Sequence, residues 1–439
     1  MSGIPGDIDA SSGPPMTVPL RHFVVGLAFL VAGIAVGAVD GRAGHLAQVH
    51  LLLAGWVCLT IMGAMTQFVP VWCGVALHSR RLASLQLPLA ALGFAGLAAG
   101  FLSGSQILLP VAGTLALAGV WTFAYNVGRT MLGVDPDVTA VHFGWALAFF
   151  LLVTTAGFGL ALDRAAGVLA AAGLSRGSLL LAHATLAVFG VVLTTVAGAL
   201  AQLAPMFTQA EDRRFETVLL RAETVVYPLG VLALAGGRLL GIEGLARAGG
   251  VIVVAGLAVV AVVLARRLAG ARVDWTPMLT RYAVAAASLL AWAALTAVRW
   301  WRDPLSYGGL FGRPPLVLLV GGVGFVVLGT LYHVVPFIVW VHRYSDRLGF
   351  EDVPMIDDLY DGRVAAADGA ALALAYALLL AAQWVALGRS LVVAAGAVAF
   401  VGVALFAGNL VAVLVEHGPR SLPSLLVGRG GPSADAEDP

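Results

Sequence analysis

Residues 178 to 207 read SLLLAHATLAVFGVVLTTVAGALAQLAPMF, thirty positions without one Asp, Glu, Lys or Arg. An α-helix rises about 1.5 Å per residue, so the stretch is long enough to cross a hydrocarbon core of roughly 30 Å. A barrel strand would alternate apolar and polar positions in segments of about 10 residues, and this stretch does not. Inside a bilayer the backbone must satisfy its own hydrogen bonds, which leaves the helix.

Outward from this segment, similar apolar runs fall near 22 to 40, 46 to 72, 84 to 103, 106 to 127 and 138 to 162 before it. Six more follow, near 217 to 237, 246 to 265, 278 to 298, 314 to 340, 367 to 388 and 391 to 415. Twelve spans are therefore predicted. The 439-residue chain is 60% hydrophobic and 11% charged, with a mean hydropathy of +0.94, more apolar surface than one soluble core of ordinary size could hide. The expected fold is an all-α membrane protein with one membrane domain over 21 to 418. The segments 1 to 20 and 419 to 439 read as disordered tails, and the first lacks the basic start and apolar middle of a cleavable signal.

All 25 basic residues are arginine, set against 24 acidic ones, so no polybasic field exists and a nucleic-acid partner is not expected. The tails and even-numbered joints hold 16 arginines and the odd-numbered joints 9. By the positive-inside rule both termini face the cytoplasm of a multi-pass protein of the cell membrane. Cys58 and Cys73 share one apolar segment and cannot staple an extracellular module. The joint at 341 to 366, with its acidic cluster from Glu351 to Asp361, reads as a solvated cytoplasmic loop.

Three spans share a pattern that hydrophobicity does not require: Gly55, Gly63, Gln67, Pro70; Gly190, Gly198, Gln202, Pro205; Gly321, Gly329, His333, Pro336. The internal spacing is the same in all three, and the pattern falls on spans two, six and ten. Glycines two turns apart let membrane helices approach closely. One such pair would be packing alone; three in register predict units of about 21 to 130, 138 to 268 and 278 to 418, arranged as three four-helix arcs with pseudo-threefold symmetry. The Gln or His before each proline is expected to reach carbonyls that the proline frees.

An ionisable side chain at membrane depth is a functional hypothesis by default. His22, His78, His142, His342 and His417 fall at span ends or in joints, where interfacial solvation accounts for them. His45 and His50 lie at the outer start of span two and His183 at a similar depth on span six. A neutral imidazole in an apolar bundle is a good axial ligand for haem iron, with its second nitrogen held by a carbonyl or hydroxyl; a hydrogen-bonded interface residue is the competing account. His50 and His183 stand 20 and 22 residues before their repeat prolines, which sets them on different faces if the two helices match closely. Cys73 and His78, five apart, do not share a helix face, and Arg221 with Glu223 is read as lying in the opening turn of span seven.

The segments HLLLAGWVCLTIMGAMTQFVPVW (50 to 72) and GGVGFVVLGTLYHVVPFIVW (321 to 340) resemble the second and tenth spans of the haem-copper oxidase subunit I superfamily, which includes cytochrome oxidases and nitric oxide reductases. The resemblance extends over the whole chain by topology and these two motifs. It implies low-spin haem ligation by His50 and places His183 where the family has a copper-ligating histidine. The neighbouring HPEVY-like context is missing. Arg313, Pro314, Pro315 and Leu316 replace the histidines that open the family's tenth span, and span seven lacks the paired copper histidines. A binuclear centre and copper are therefore not expected. The resemblance implies a divergent subunit I-like protein with a reduced cofactor set, b-type haem near the outer face with His50 as one ligand and His45 or His183 as the other. A respiratory electron donor or partner subunit would serve it. A metal-free scaffold or assembly partner, docking through 341 to 366, is the other reading; a transporter is a third, supported only by the internal repeats, since the interrupted midplane helices and buried charges usual at transport sites are not visible in the sequence.

Overall fold

The computed structural model describes residues 15–38, 41–211, 213–312, 314–418 and 420–427. Twelve helices are long and apolar enough to cross a membrane: α1 Thr17–Val36, α2 Arg42–Cys73, α3 Arg80–Ser103, α4 Leu108–Thr130, α5 Val138–Ala166, α6 Arg176–Thr208, α7 Arg214–Leu240, α8 Glu243–Ala269, α9 Pro277–Arg302, α10 Val317–Arg343, α11 Gly362–Ala381 and α12 Arg389–His417. No strand occurs among the described residues. The chain is a multi-pass membrane protein of the all-α class.

The helices begin and end where local chemistry dictates. Ser79, Asp137, Ser175, Thr276 and Asp361 each cap a helix start by accepting a backbone N–H. Glycines at positive φ close α3, α5 and α7, at Gly104, Gly167 and Gly241. Each span packs on the next, and α12 returns to pack on α1, so the ring of helices closes.

The interior belongs to α2, α6 and α10. Of their apolar windows 61%, 72% and 78% is buried, against at most 56% for any other span. Each carries a π-helical stretch, His50–Cys58, Leu186–Leu193 and Val317–Gly324, and each stretch contains the first glycine of the repeat. A π turn widens the helix locally, and glycine there admits a neighbour: a Cβ on Gly190 would sit 2.8 Å from Phe149 Cγ. The second glycines repeat the device. A Cβ on Gly63, Gly198 or Gly329 would lie 2.6, 2.5 or 3.2 Å from the Cβ of His22, His142 or Arg281.

Several expectations need correction. α1 begins at Thr17, inside the stretch read as a tail, and a short helix, Leu422–Val427, with Leu425 buried, stands in the other tail. The remaining tail positions lie outside the described residues. The joint 341 to 366 is not wholly solvated: Leu359 and Tyr360 are buried in the core, and Trp340 Nε1 donates to the Pro354 carbonyl at 2.7 Å. His333 does not cap a carbonyl but packs against Phe207 at a tilt and stacks on Phe337, with ring centroids 4.2 and 5.9 Å away, and Gln67 keeps Oε1 buried without a partner.

Candidate functional site

His50 opens the π-helical stretch of α2. Its Nδ1 lies 2.8 Å from the Leu46 carbonyl, and its ring packs against Phe101 of α3 with centroids 4.8 Å apart. A carbonyl can only accept, so Nδ1 carries the proton and Nε2 keeps its lone pair. His183 repeats this arrangement on α6. Its Nδ1 lies 3.0 Å from the Val153 carbonyl of α5, and the ring fits against Gly157, where a Cβ would approach Cε1 to 2.9 Å. Both imidazoles are half-buried, and they are near enough for a charge on one to act on the other.

Two neutral imidazoles with Nδ1 tied to backbone carbonyls present the donor atoms and the outer-shell support of histidine metal ligands. Gly157 supplies the space that one ring needs. As donors, two neutral imidazoles suit haem iron. Both α2 and α6 carry a π-helical stretch, of 9 and 8 residues, so the two-residue difference between the offsets remains, and the rings differ in their anchors: His50 bonds to its own helix and His183 to α5. His45, on the first turns of α2, is exposed. Among the described residues no three His, Cys, Asp or Glu side chains converge as a metal-holding group; Arg313 lies outside the described residues.

Deeper in the bundle a cavity of about 80 Å³ opens between α2, α6 and α10. Each helix lines it from the same five positions relative to its second repeat glycine. Thr60, Thr195 and Val326 stand three residues before that glycine, and Ala64, Ala199 and Thr330 one after it. Trp72 of α2 and Phe23, Phe143 and Tyr282, from α1, α5 and α9, complete the wall, and no histidine lines it.

Beside the second glycines lies a set of buried polar pairs. His22 of α1 has Nδ1 2.8 Å from the Val18 carbonyl and Nε2 3.1 Å from Nε2 of Gln86 on α3; the Gln86 amide also donates to Thr66 Oγ1 at 3.0 Å. His142 of α5 has Nδ1 2.7 Å from the Val138 carbonyl and Nε2 2.6 Å from Glu223 Oε2 on α7. Arg281 of α9 pairs with Asp368 on α11, and Asp368 also accepts from Tyr332, whose hydroxyl in turn takes a 3.2 Å bond from Asn409. In all three a helix meets the one two spans further on, at the position where its side chain packs on a second repeat glycine.

Interfacial solvation is therefore wrong for His22 and His142, which are buried and bonded, and Glu223 lies in the third turn of α7 rather than its first. The sequence carries a signal for them outside the glycine spans: HFVVGLAF at 22 to 29 recurs as HFGWALAF at 142 to 149. Arg238 of α7 was not among the expected site residues. It is 1% exposed, donates to Thr185 Oγ1 at 2.8 Å and to the carbonyls of Pro304 and Leu310, and lies over the Trp300 ring at 4.9 Å, tying the joint between α9 and α10 to the bundle. No family model matches the chain, and no curated protein matches it.

Proposed function

We propose that the protein is a membrane haem protein in which His50 and His183 are the axial ligands of one b-type haem, serving respiratory or nitric oxide related electron transfer. The observation that carries this is the pair of imidazoles from α2 and α6, each with Nδ1 bonded to a backbone carbonyl and Nε2 left as a donor atom. When bound, haem would supply one-electron chemistry. The chain's own part is to fix the tautomer of each ring, to orient it through Phe101 and Gly157, and to surround it with apolar helix.

The proposal includes a divergent subunit I-like frame of three arcs, with both termini on the cytoplasmic side of the cell membrane and an electron donor or partner subunit outside the chain. Support for the arcs is the shared register of the cavity wall, the second glycines and the π-helical stretches. The test is a pyridine haemochrome and an optical spectrum of the purified full chain. A Soret band with sharp reduced α and β bands is expected, lost in both His50→Ala and His183→Ala and retained in His45→Ala. A preparation that stays colourless after haem supplementation would refute the proposal and leave the scaffold reading.

A further inference from the structure

The polar pairs beside the second glycines differ in one respect that matters chemically. His22 with Gln86 is a neutral pair in which no proton is missing, although Gln86 Oε1 is buried without a partner. The carbonyl at Nδ1 fixes that proton, the amide donates to Nε2, and a proton added to Nε2 would set two donors face to face. Arg281 with Asp368 is a permanent ion pair, backed by Tyr332 and by the Ala365 carbonyl, which accepts from Arg281 Nη2 at 3.1 Å. His142 with Glu223 is neither.

Nδ1 of His142 is committed to the Val138 carbonyl, so in the neutral ring Nε2 presents a lone pair. It faces Glu223 Oε2 at 2.6 Å, with the two side chains 0% and 3% exposed. Two lone pairs do not sit at that distance in an apolar interior, so one proton must lie between them, on imidazolium or on carboxylic acid. The other carboxylate oxygen, Oε1, is buried and has no partner, so nothing else neutralises the carboxylate if that proton leaves.

We infer that His142 and Glu223 form a proton-binding site within the membrane-spanning part of the chain, taking up and releasing one proton while their counterparts in the other units do not. Binding adds one proton to the shared contact and turns a buried net charge of −1 into a neutral pair, with no other bond made or broken. Among the described residues Glu223 is the charged group that acts on His142. Tyr227, one turn on along α7, faces Glu223, but its hydroxyl donates to the Phe189 carbonyl at 2.8 Å. Glu216, two turns back, is engaged by Arg266 and Arg267 of α8. α6 offers the pair Gly198, which packs on His142 Cβ. The inference does not rest on haem.

The test is a proton-uptake titration of the full chain in lipid nanodiscs with a pH indicator, alongside infrared spectra of its carboxyl groups. Over about pH 5 to 9 the wild type is expected to exchange about one more proton than Glu223→Gln, and the wild-type minus variant spectrum should show a carboxyl signal that changes with pH. Glu223→Gln recreates the His–Gln pair that the first unit already accommodates, so it should fold; Glu223→Asp is a second variant, expected to keep the proton but alter its titration. A Glu223 signal that is constant over this range, whether protonated throughout or ionised throughout, overturns the inference. So does an equal proton count in wild type and Glu223→Gln.

Discussion

Replacing the second repeat glycines by alanine tests the packing from which the whole interior is built. The same methyl group is added three times, but the room differs. The new Cβ would lie 2.5 Å from His142 Cβ in Gly198→Ala, 2.6 Å from His22 Cβ in Gly63→Ala, and 3.2 Å from Arg281 Cβ in Gly329→Ala. Carbon atoms at optimal contact stand about 3.5 to 4.0 Å apart. The first two substitutions must push a helix aside, and the atom they strike is the root of a side chain rather than its flexible tip. The third asks for a shift of a few tenths of an ångström. Overpacking a close-packed site costs about 1 to 3 kcal/mol, so Gly198→Ala and Gly63→Ala belong at the upper end and Gly329→Ala near or below the lower. Gly198→Ala carries an added cost, since moving His142 stretches its 2.6 Å bond to Glu223. The assay is thermal unfolding of each variant in one detergent, followed by tryptophan fluorescence, at constant pH. Equal losses in all three variants would refute the reasoning, as would a greater loss in Gly329→Ala than in Gly198→Ala.

Asp368→Asn strands a buried guanidinium and is expected to cost about 3 to 5 kcal/mol, whereas the double variant Arg281→Met with Asp368→Leu should cost far less; denaturation of both variants checks the difference. Gln86→Glu sets a carboxyl opposite His22 Nε2 and should raise the count in the proton-uptake titration by about one per chain. In the joints, hydrogen bonds from Arg272 and Arg347, and then their charges, hold the carboxyls of Glu211 and Glu351 below their ordinary value of 4.5. A carboxylate so depressed contributes stability that is complete above the ordinary value and lost as the pH falls through the lowered one. Amide hydrogen exchange at residues 209 to 211 and 345 to 351 should therefore show weaker protection at about pH 3 than at about pH 6, after correction for the intrinsic exchange rate.

The number of spans was legible because a helix in hydrocarbon needs an uninterrupted apolar run, and nothing else in a chain produces twelve of them. Their ends were less so: the run read at 367 to 388 is α11 Gly362–Ala381, where the Asp361 cap, rather than hydropathy, decides the start. The glycine repeat led to the three innermost helices because small residues are what close packing demands. The polar pairs could not be reached the same way. Hydropathy places His22 and His142 near span ends, where water could reach them, and only the facing helix shows Gln86 and Glu223 standing in water's place. His50 and His183 were found by depth, yet which nitrogen each leaves free depends on a carbonyl four residues back in one helix and thirty residues back in another.

Polar pairs of three kinds at one register position separate what holds the frame from what the frame can do. If polar contact held the first helix of each unit to the third, a neutral pair, a proton-sharing pair and an ion pair could not serve the same junction, because their strengths and their responses to pH differ too widely. What the three junctions share is the glycine at which the second helix receives the first: His22, His142 and Arg281 each press their Cβ onto it. Van der Waals contact at glycine is enough to fix helix spacing in a membrane, where hydrophobic burial between helices gives no advantage. The identity of the polar pair is thereby released from the fold, and the one pair that can hold a single proton stands at a position where the architecture would have accepted either of the others.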